Sequence, residues 1–161
     1  MIALDASVAV KWFKPGERYD AEAQQVLARI RARMVTAFAN EWLGLEVVRG
    51  LKRAQRAVPP LAIGDPDIQA AYDALGALFR SGAITEVTVA AVKDRTCALE
   101  IALGLYAADA VHLATAIHAG ARWLVSDDDH LLGNTVRAYA ATAGVTVVSL
   151  PELIVQLPVT S

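Results

Sequence analysis

Hydrophobic and polar positions along this chain alternate between a period near two and a period near 3.6. Met1 to Leu4 is a short apolar run that stops at Asp5-Ala6-Ser7, the pattern of a buried strand with an acid at its carboxyl end. Val8 to Phe13 predicts a short helix, with Ser7 or Asp5 available as its N-cap, and Pro15-Gly16 breaks it. Arg18 to Ala32 has helical spacing that places Ala21, Val26, Leu27 and Ile30 inward and Arg29, Arg31 and Arg33 toward solvent. Met34 to Phe38 is a second strand candidate. From Asn40, a good N-cap, a long helix runs to about Ala57 and stops before Pro59-Pro60.

The segment Val58 to Pro66 carries three prolines and a glycine, which predicts a loop between helices. Asp67 to Phe79 follows as a helix with Ile68, Ala71, Tyr72, Leu75 and Leu78 at core spacing, ended by Ser81-Gly82. Ile84 to Val89 alternates like a strand, and Ala90 to Leu103 reads as a helix closed by Gly104. Tyr106 to Ile117 is a nearly all-apolar helix pattern carrying one acid, Asp109, in its first turn. Arg122 to Ser126 is a short strand running into Asp127-Asp128-Asp129. Leu131 to Ala143 reads as a helix, Gly144 ends it, Val145 to Ser149 is a last strand, and the tail from Pro151 is a short helix or docking segment. Short strands separated by helices predict an α/β fold, a parallel sheet of four to five strands with helices on both faces. Residues 1–161 are expected to form a single domain.

Composition narrows this picture. At 161 residues, 55% hydrophobic and 20% charged, the chain can bury a real core without metal or disulfide staples, which excludes a disordered segment. A formal net charge of −2 argues against bulk attraction to nucleic acid and leaves a local basic patch as the feature to seek. The single cysteine, Cys97, has no internal disulfide partner, fits a reducing cytoplasm and is expected to pack within its helix. The chain enters its first strand without a basic leader, and no apolar stretch reaches ~18 residues, so a cytoplasmic protein away from the membrane is expected.

The acids carry the chemistry. In open parallel sheets ligands bind beyond the carboxyl ends of the strands. Asp5 ends the first strand, and Asp127 to Asp129 follow the strand from Arg122 to Ser126. The helix bearing Asp109 leads into the bottom of that strand, so its own start lies at the top. Glu46 sits in the second turn of the helix that leaves the top of the second strand. Each acid has an ordinary alternative. Asp5 suits a helix cap, Asp109 complements a helix N-terminus (~0.3–1 kcal/mol), Glu46 suits a surface pair with Arg49, and the aspartate run suits a solvated turn. All four landing on one sheet edge favours a shared cation. Without cysteine or paired histidine ligands, all-oxygen ligation points to Mg²⁺ or Mn²⁺. Such ions activate water and stabilise charge on a phosphoryl group. His112, His118 and His130 show no metal-ligand spacing and are read as structural.

On the helix from Asn40, Glu46, Arg49, Arg53 and Arg56 form a stripe with Lys52 nearby, opposite Leu43, Val47, Val48, Leu51 and Ala54. A row of cations leading away from an acid suits a phosphate backbone, and it also suits a solvated helix face. Lys11 and Lys14 extend the row toward Asp5, while Trp12 reads as packing.

Leu4-Asp5-Ala6-Ser7, Glu46-Val47-Val48-Arg49-Gly50-Leu51, Ala108-Asp109-Ala110-Val111-His112-Leu113-Ala114-Thr115-Ala116 and Leu124-Val125-Ser126-Asp127-Asp128 resemble, in order, the successive motifs of PIN domains, in particular VapC-type toxins of toxin–antitoxin systems. That resemblance implies a three-layer α/β/α sandwich and a Mg²⁺- or Mn²⁺-dependent endoribonuclease. It also implies a homodimer held in check by a cognate antitoxin. Asp5, Glu46 and Asp109 match the family's core acids and Ser7 the hydroxyl beside the first. The fourth acid stands two places after a Ser or Thr, here Ser126, which selects Asp128, with Asp127 as the alternative. In this reading Asp5, Asp109 and Asp128 hold the metal and Glu46 acts through water, while Arg49, Lys52, Arg53, Arg56 and Lys11 bind RNA. Two other functions remain open: an aspartyl-phosphate phosphatase with Asp5 as nucleophile, for which Ser7 stands where a second aspartate is wanted, and a non-catalytic binding module.

Overall fold

The computed structural model describes residues 1–58 and 61–157. Strands β1 (Ile2–Leu4), β2 (Ala37–Asn40), β3 (Ile84–Val87), β4 (Trp123–Val125) and β5 (Thr146–Val148) form one sheet in the order β3-β2-β1-β4-β5, with every pairing parallel. Strand side chains alternate between faces and so feed two cores. Ile2, Leu4, Ala37, Ala39, Ile84, Val125 and Val148 enter one core, and Ala3, Val87, Leu124 and Val147 enter the other. The first is covered by α1 (Ala6–Ala9), α2 (Asp20–Arg31), α3 (Leu43–Gln55), α4 (Asp65–Arg80) and α9 (Leu150–Gln156). The second is covered by α5 (Val89–Leu103), α6 (Ala107–His118), α7 (Asp129–Leu132) and α8 (Asn134–Thr142). The result is the expected α/β/α sandwich around a parallel sheet.

Differences from the sequence pattern have local causes. The second strand lies later than Met34 to Phe38, and Asn40 ends it rather than capping a helix. Its buried amide donates to Val87 O at 2.9 Å and its Oδ1 accepts from Trp42 N at 3.0 Å. Pro66 belongs to the first turn of α4, where its missing N–H costs nothing, rather than to the preceding loop. Pro59 and Pro60, the expected helix stop, lie outside the described residues. Ala21 faces solvent while Ala23 packs inward, and Tyr72 is 43% exposed although Ile68, Ala71, Leu75 and Leu78 are buried as expected. Cys97 is exposed, because the inward stripe of α5 is Val92, Thr96 and Leu99. The helix expected from Leu131 is split at Gly133 into α7 and α8. Among the described residues no single helix is long and apolar enough to cross a membrane; α5 and α6 pass only jointly and are bent by 120°.

Candidate active site at the carboxyl edge of the sheet

Asp5 follows β1, and its backbone N donates to Val125 O at 3.1 Å, which seats it level with the end of β4. Ser126 follows β4 and its N donates to Val148 O at 3.0 Å. The two positions are therefore set by the sheet ladder itself. Asp5 is only 4% exposed, and its Oδ2 accepts from Ser126 Oγ at 2.7 Å and from Ser7 Oγ at 2.5 Å. The same oxygen caps α1 through Ser7 N at 3.4 Å. With Oδ2 held by hydroxyls, Oδ1 is the oxygen turned to the site, 3.3 Å from His112 Nε2.

Glu46 lies in the first turn of α3, one turn earlier in its helix than the pattern placed it, because α3 begins only at Leu43. Its Oε2 is 2.5 Å from His112 Nε2. His112 is 1% exposed, and Nδ1 meets no hydrogen-bond partner among the described residues. Burial opposes a charge on this imidazole, but the hydrogen bond to Glu46 and the negative charges of Asp5, Glu46 and Asp109 outweigh it and raise its pKa. His112, expected to be structural, thus joins Glu46 to Asp5. The one signal for it in the sequence is its place three residues after Asp109 on an otherwise apolar helix, the spacing that puts both on one face.

Asp109 occupies the first turn of α6. Its carboxyl is pushed up to about 6, first by burial and then by the charges of Asp128 and Asp5, against the weaker opposing pull of His112 and His130. Tyr106, just before α6, meets the His130 ring edge-on at 5.4 Å, which keeps the start of α6 beside α7. Asp128 caps α7 by accepting from His130 N at 2.8 Å, while its own N donates to Ser126 Oγ at 3.0 Å.

The three consecutive aspartates are sorted by their surroundings. Asp128 acts on Asp109, Asp127 is paired with Lys11 Nζ at 2.9 Å, and Asp129 is exposed at the start of α7. Lys11 therefore does not lie on the expected cationic row. It is 5% exposed and turned inward to Asp127 and Arg18 O. Lys14 pairs with Glu17, and Trp12 packs, its Nε1 donating to Ala23 O at 3.0 Å. On α3 and at its C-cap, Arg49, Arg53 and Arg56 are exposed, whereas Lys52 is half-buried and bonded to Asp65 at 2.6 Å.

Among the described residues, no three His, Cys, Asp or Glu side chains draw close enough to make a finished metal cage. Like charges stay apart until a cation joins them. The donor set still fits a hard divalent ion: its carboxylates supply oxygen ligands, Asp5 has one anchored oxygen and one turned to the site, and burial, with the charges of Asp128 and Asp5 behind it, disfavours an ionised Asp109 on its own. No curated protein matches the chain. A comparison with known families does match, over residues 2–134, and the matching family is the PIN domain. Because that span contains β1 to β4 and all the acids gathered at their ends, the chain belongs to the PIN-domain family, whose members are in general metal-dependent nucleases.

Proposed function

We propose that this protein is an endoribonuclease dependent on Mg²⁺ or Mn²⁺, and that it acts as the toxin of a VapC-type toxin–antitoxin pair. The observation that carries the reading is the gathering of Asp5, Glu46, Asp109 and Asp128 at the carboxyl edge of a parallel sheet in a PIN domain, where burial and the charges of Asp128 and Asp5 push the Asp109 carboxyl up to about 6. A group so placed wants a cation. Asp5, Asp109 and Asp128 would hold the ion, with Glu46 acting through water. When bound, the ion lowers the pKa of water and offsets charge on a scissile phosphate.

The protein's own contribution is positioning. Ser7 and Ser126 fix the Asp5 carboxylate by donating to Oδ2, and His112 holds Glu46 and Asp5 in one arrangement. Arg49 and Arg53 on the helix that carries Glu46, and Arg56 at its C-cap, are exposed and offer guanidinium groups to the RNA phosphates. Trp42 and Leu45 on or beside α3 and Tyr72 on α4 are exposed, which supports a protein-covered surface near the site, whether antitoxin or a second copy in a homodimer. We place the protein in the cytoplasm, where such a pair would act.

The test is cleavage of a mixed RNA pool with Mn²⁺ or Mg²⁺ added. Activity should stop with chelator and be lost in Asp5→Asn and Asp109→Asn variants that remain folded by circular dichroism. Cleavage that survives either substitution removes the site assignment.

A further inference from the structure

The buried Lys11 has no part in the chemistry described above, yet its surroundings are unusual for a lysine. Its side chain is 6% exposed, in the 3-10 turn Val10–Trp12 that follows α1. An ammonium has three protons to place. One goes to Arg18 O at 2.8 Å and one to Glu17 Oε2 at 3.5 Å, and the charge is matched by Asp127, whose Oδ2 forms an ion pair with Nζ at 2.9 Å. Lysine is seldom buried unless paired, so these partners account for its burial. They also tie the segment after α1 to the loop between β4 and α7.

That loop is the one that presents Asp128. Asp127 N donates to Ser7 Oγ at 2.8 Å, and Ser7 Oγ in turn donates to Asp5 Oδ2. Asp128 N donates to Ser126 Oγ, which also donates to Asp5 Oδ2. The backbone of Asp127 and Asp128 is thus stitched to the carboxylate of Asp5 through two hydroxyls. The side chain of Asp127 is drawn away from that network by Lys11.

We infer that Lys11 is a positioning residue: by pairing with Asp127 it keeps that acid out of the site and locks the β4–α7 loop so that Asp128 is the acid presented. The inference rests on the metal-dependent nuclease reading for its consequence, not for its geometry. Without Lys11, Asp127 would be left half-buried with no counter-charge, and it would leave toward solvent or toward Asp5, pulling the loop with it.

Two measurements decide it. In the metal-free protein, Lys11→Met should speed hydrogen exchange at the Asp127 and Asp128 amides by roughly tenfold, while the strand amides of β1 stay protected. The double variant Lys11→Met/Asp127→Asn, which removes both charges, should recover that protection. Amides as protected in Lys11→Met as in the wild type overturn the inference. So does a double variant that recovers nothing, because loss of packing would then explain the change. In the second measurement, calorimetric titration with Mn²⁺ alone should give affinity about 10- to 100-fold weaker for Lys11→Met, restored in the double variant, and a smaller loss for Asp127→Asn than for Asp128→Asn. An Asp127→Asn loss as large as that of Asp128→Asn makes Asp127 the ligand and overturns the sorting. A wild type that binds no Mn²⁺ sinks the nuclease reading, and the exchange experiment then decides Lys11 by itself.

Discussion

Asp109→Asn should make the metal-free protein more stable near neutral pH while abolishing the proposed cleavage of RNA. The carboxyl is raised from 3.8 to about 6, by burial first and then by Asp128 and Asp5. At about 1.4 kcal/mol per unit, the ionised group is about 3 kcal/mol less favourable in the folded chain than in the unfolded one. Asp109 is only partly buried, so solvent screening reduces that figure, and the amide also loses ~0.3–1 kcal/mol of attraction to the α6 N-terminus. A net gain of about 1–2 kcal/mol remains, or about 2–8 °C in Tm for a chain of this size. The sign follows from the folded pKa lying above the unfolded one. The penalty is absent below 3.8, grows between 3.8 and about 6, and is complete above that. Thermal unfolding in chelator should therefore show a gain at about pH 7.5 and none at about pH 3.5. An asparagine variant no more stable than wild type at the higher pH, or equally favoured at both, refutes the claim that burial and the neighbouring acids disfavour an ionised Asp109. Added Mn²⁺ should reverse the ranking, raising the Tm of the wild type and not that of the variant.

Ser126→Ala should cost about 2–3 kcal/mol in urea unfolding, because a fully buried hydroxyl (0% exposed) both donates to Asp5 and accepts from Asp128 N. A cost under about 0.5 kcal/mol would mean that Ser7 alone holds Asp5. Gly50→Ala should destabilise by about 1–2 kcal/mol despite the better helix propensity of alanine, since its Cβ would stand 2.8 Å from Cγ2 of the stiff Val10 side chain. A variant as stable as wild type in the same assay would show that the 3-10 turn Val10–Trp12 and α3 can part at this point. Replacing Arg53 and Arg56 together by Ala should lower the slope of log K against log salt by about 1.4 for single-stranded RNA. An unaltered slope removes the cationic row on α3.

Periodicity alone determined most of the architecture. The apolar run Ile2–Leu4 ending at Asp5, the near-continuous apolar face from Ala110 to Ala116, and the Gly104 and Gly144 stops specify strands and helices in an order that only a parallel sheet accommodates. That topology delivers Asp5, Glu46, Asp109 and the run Asp127 to Asp129 to one edge, whereas the choice of Asp128 within the run came from the PIN-domain resemblance and not from the pattern. Element ends were less legible. Asn40 has the residue type of a cap, and only the Val87 carbonyl across the sheet makes it the last residue of a strand. The tertiary structure alone decided what each polar side chain meets. Lys11 reads as a surface cation until the loop after β4 brings Asp127 within 2.9 Å of it. His112 reads as an ordinary core residue until α3 brings Glu46 against its Nε2. The reason is physical: a side chain's place on its own helix follows from the 3.6-residue repeat, which is local. Its charge partner comes from a segment distant in sequence, and the sequence pattern carries no record of that distance.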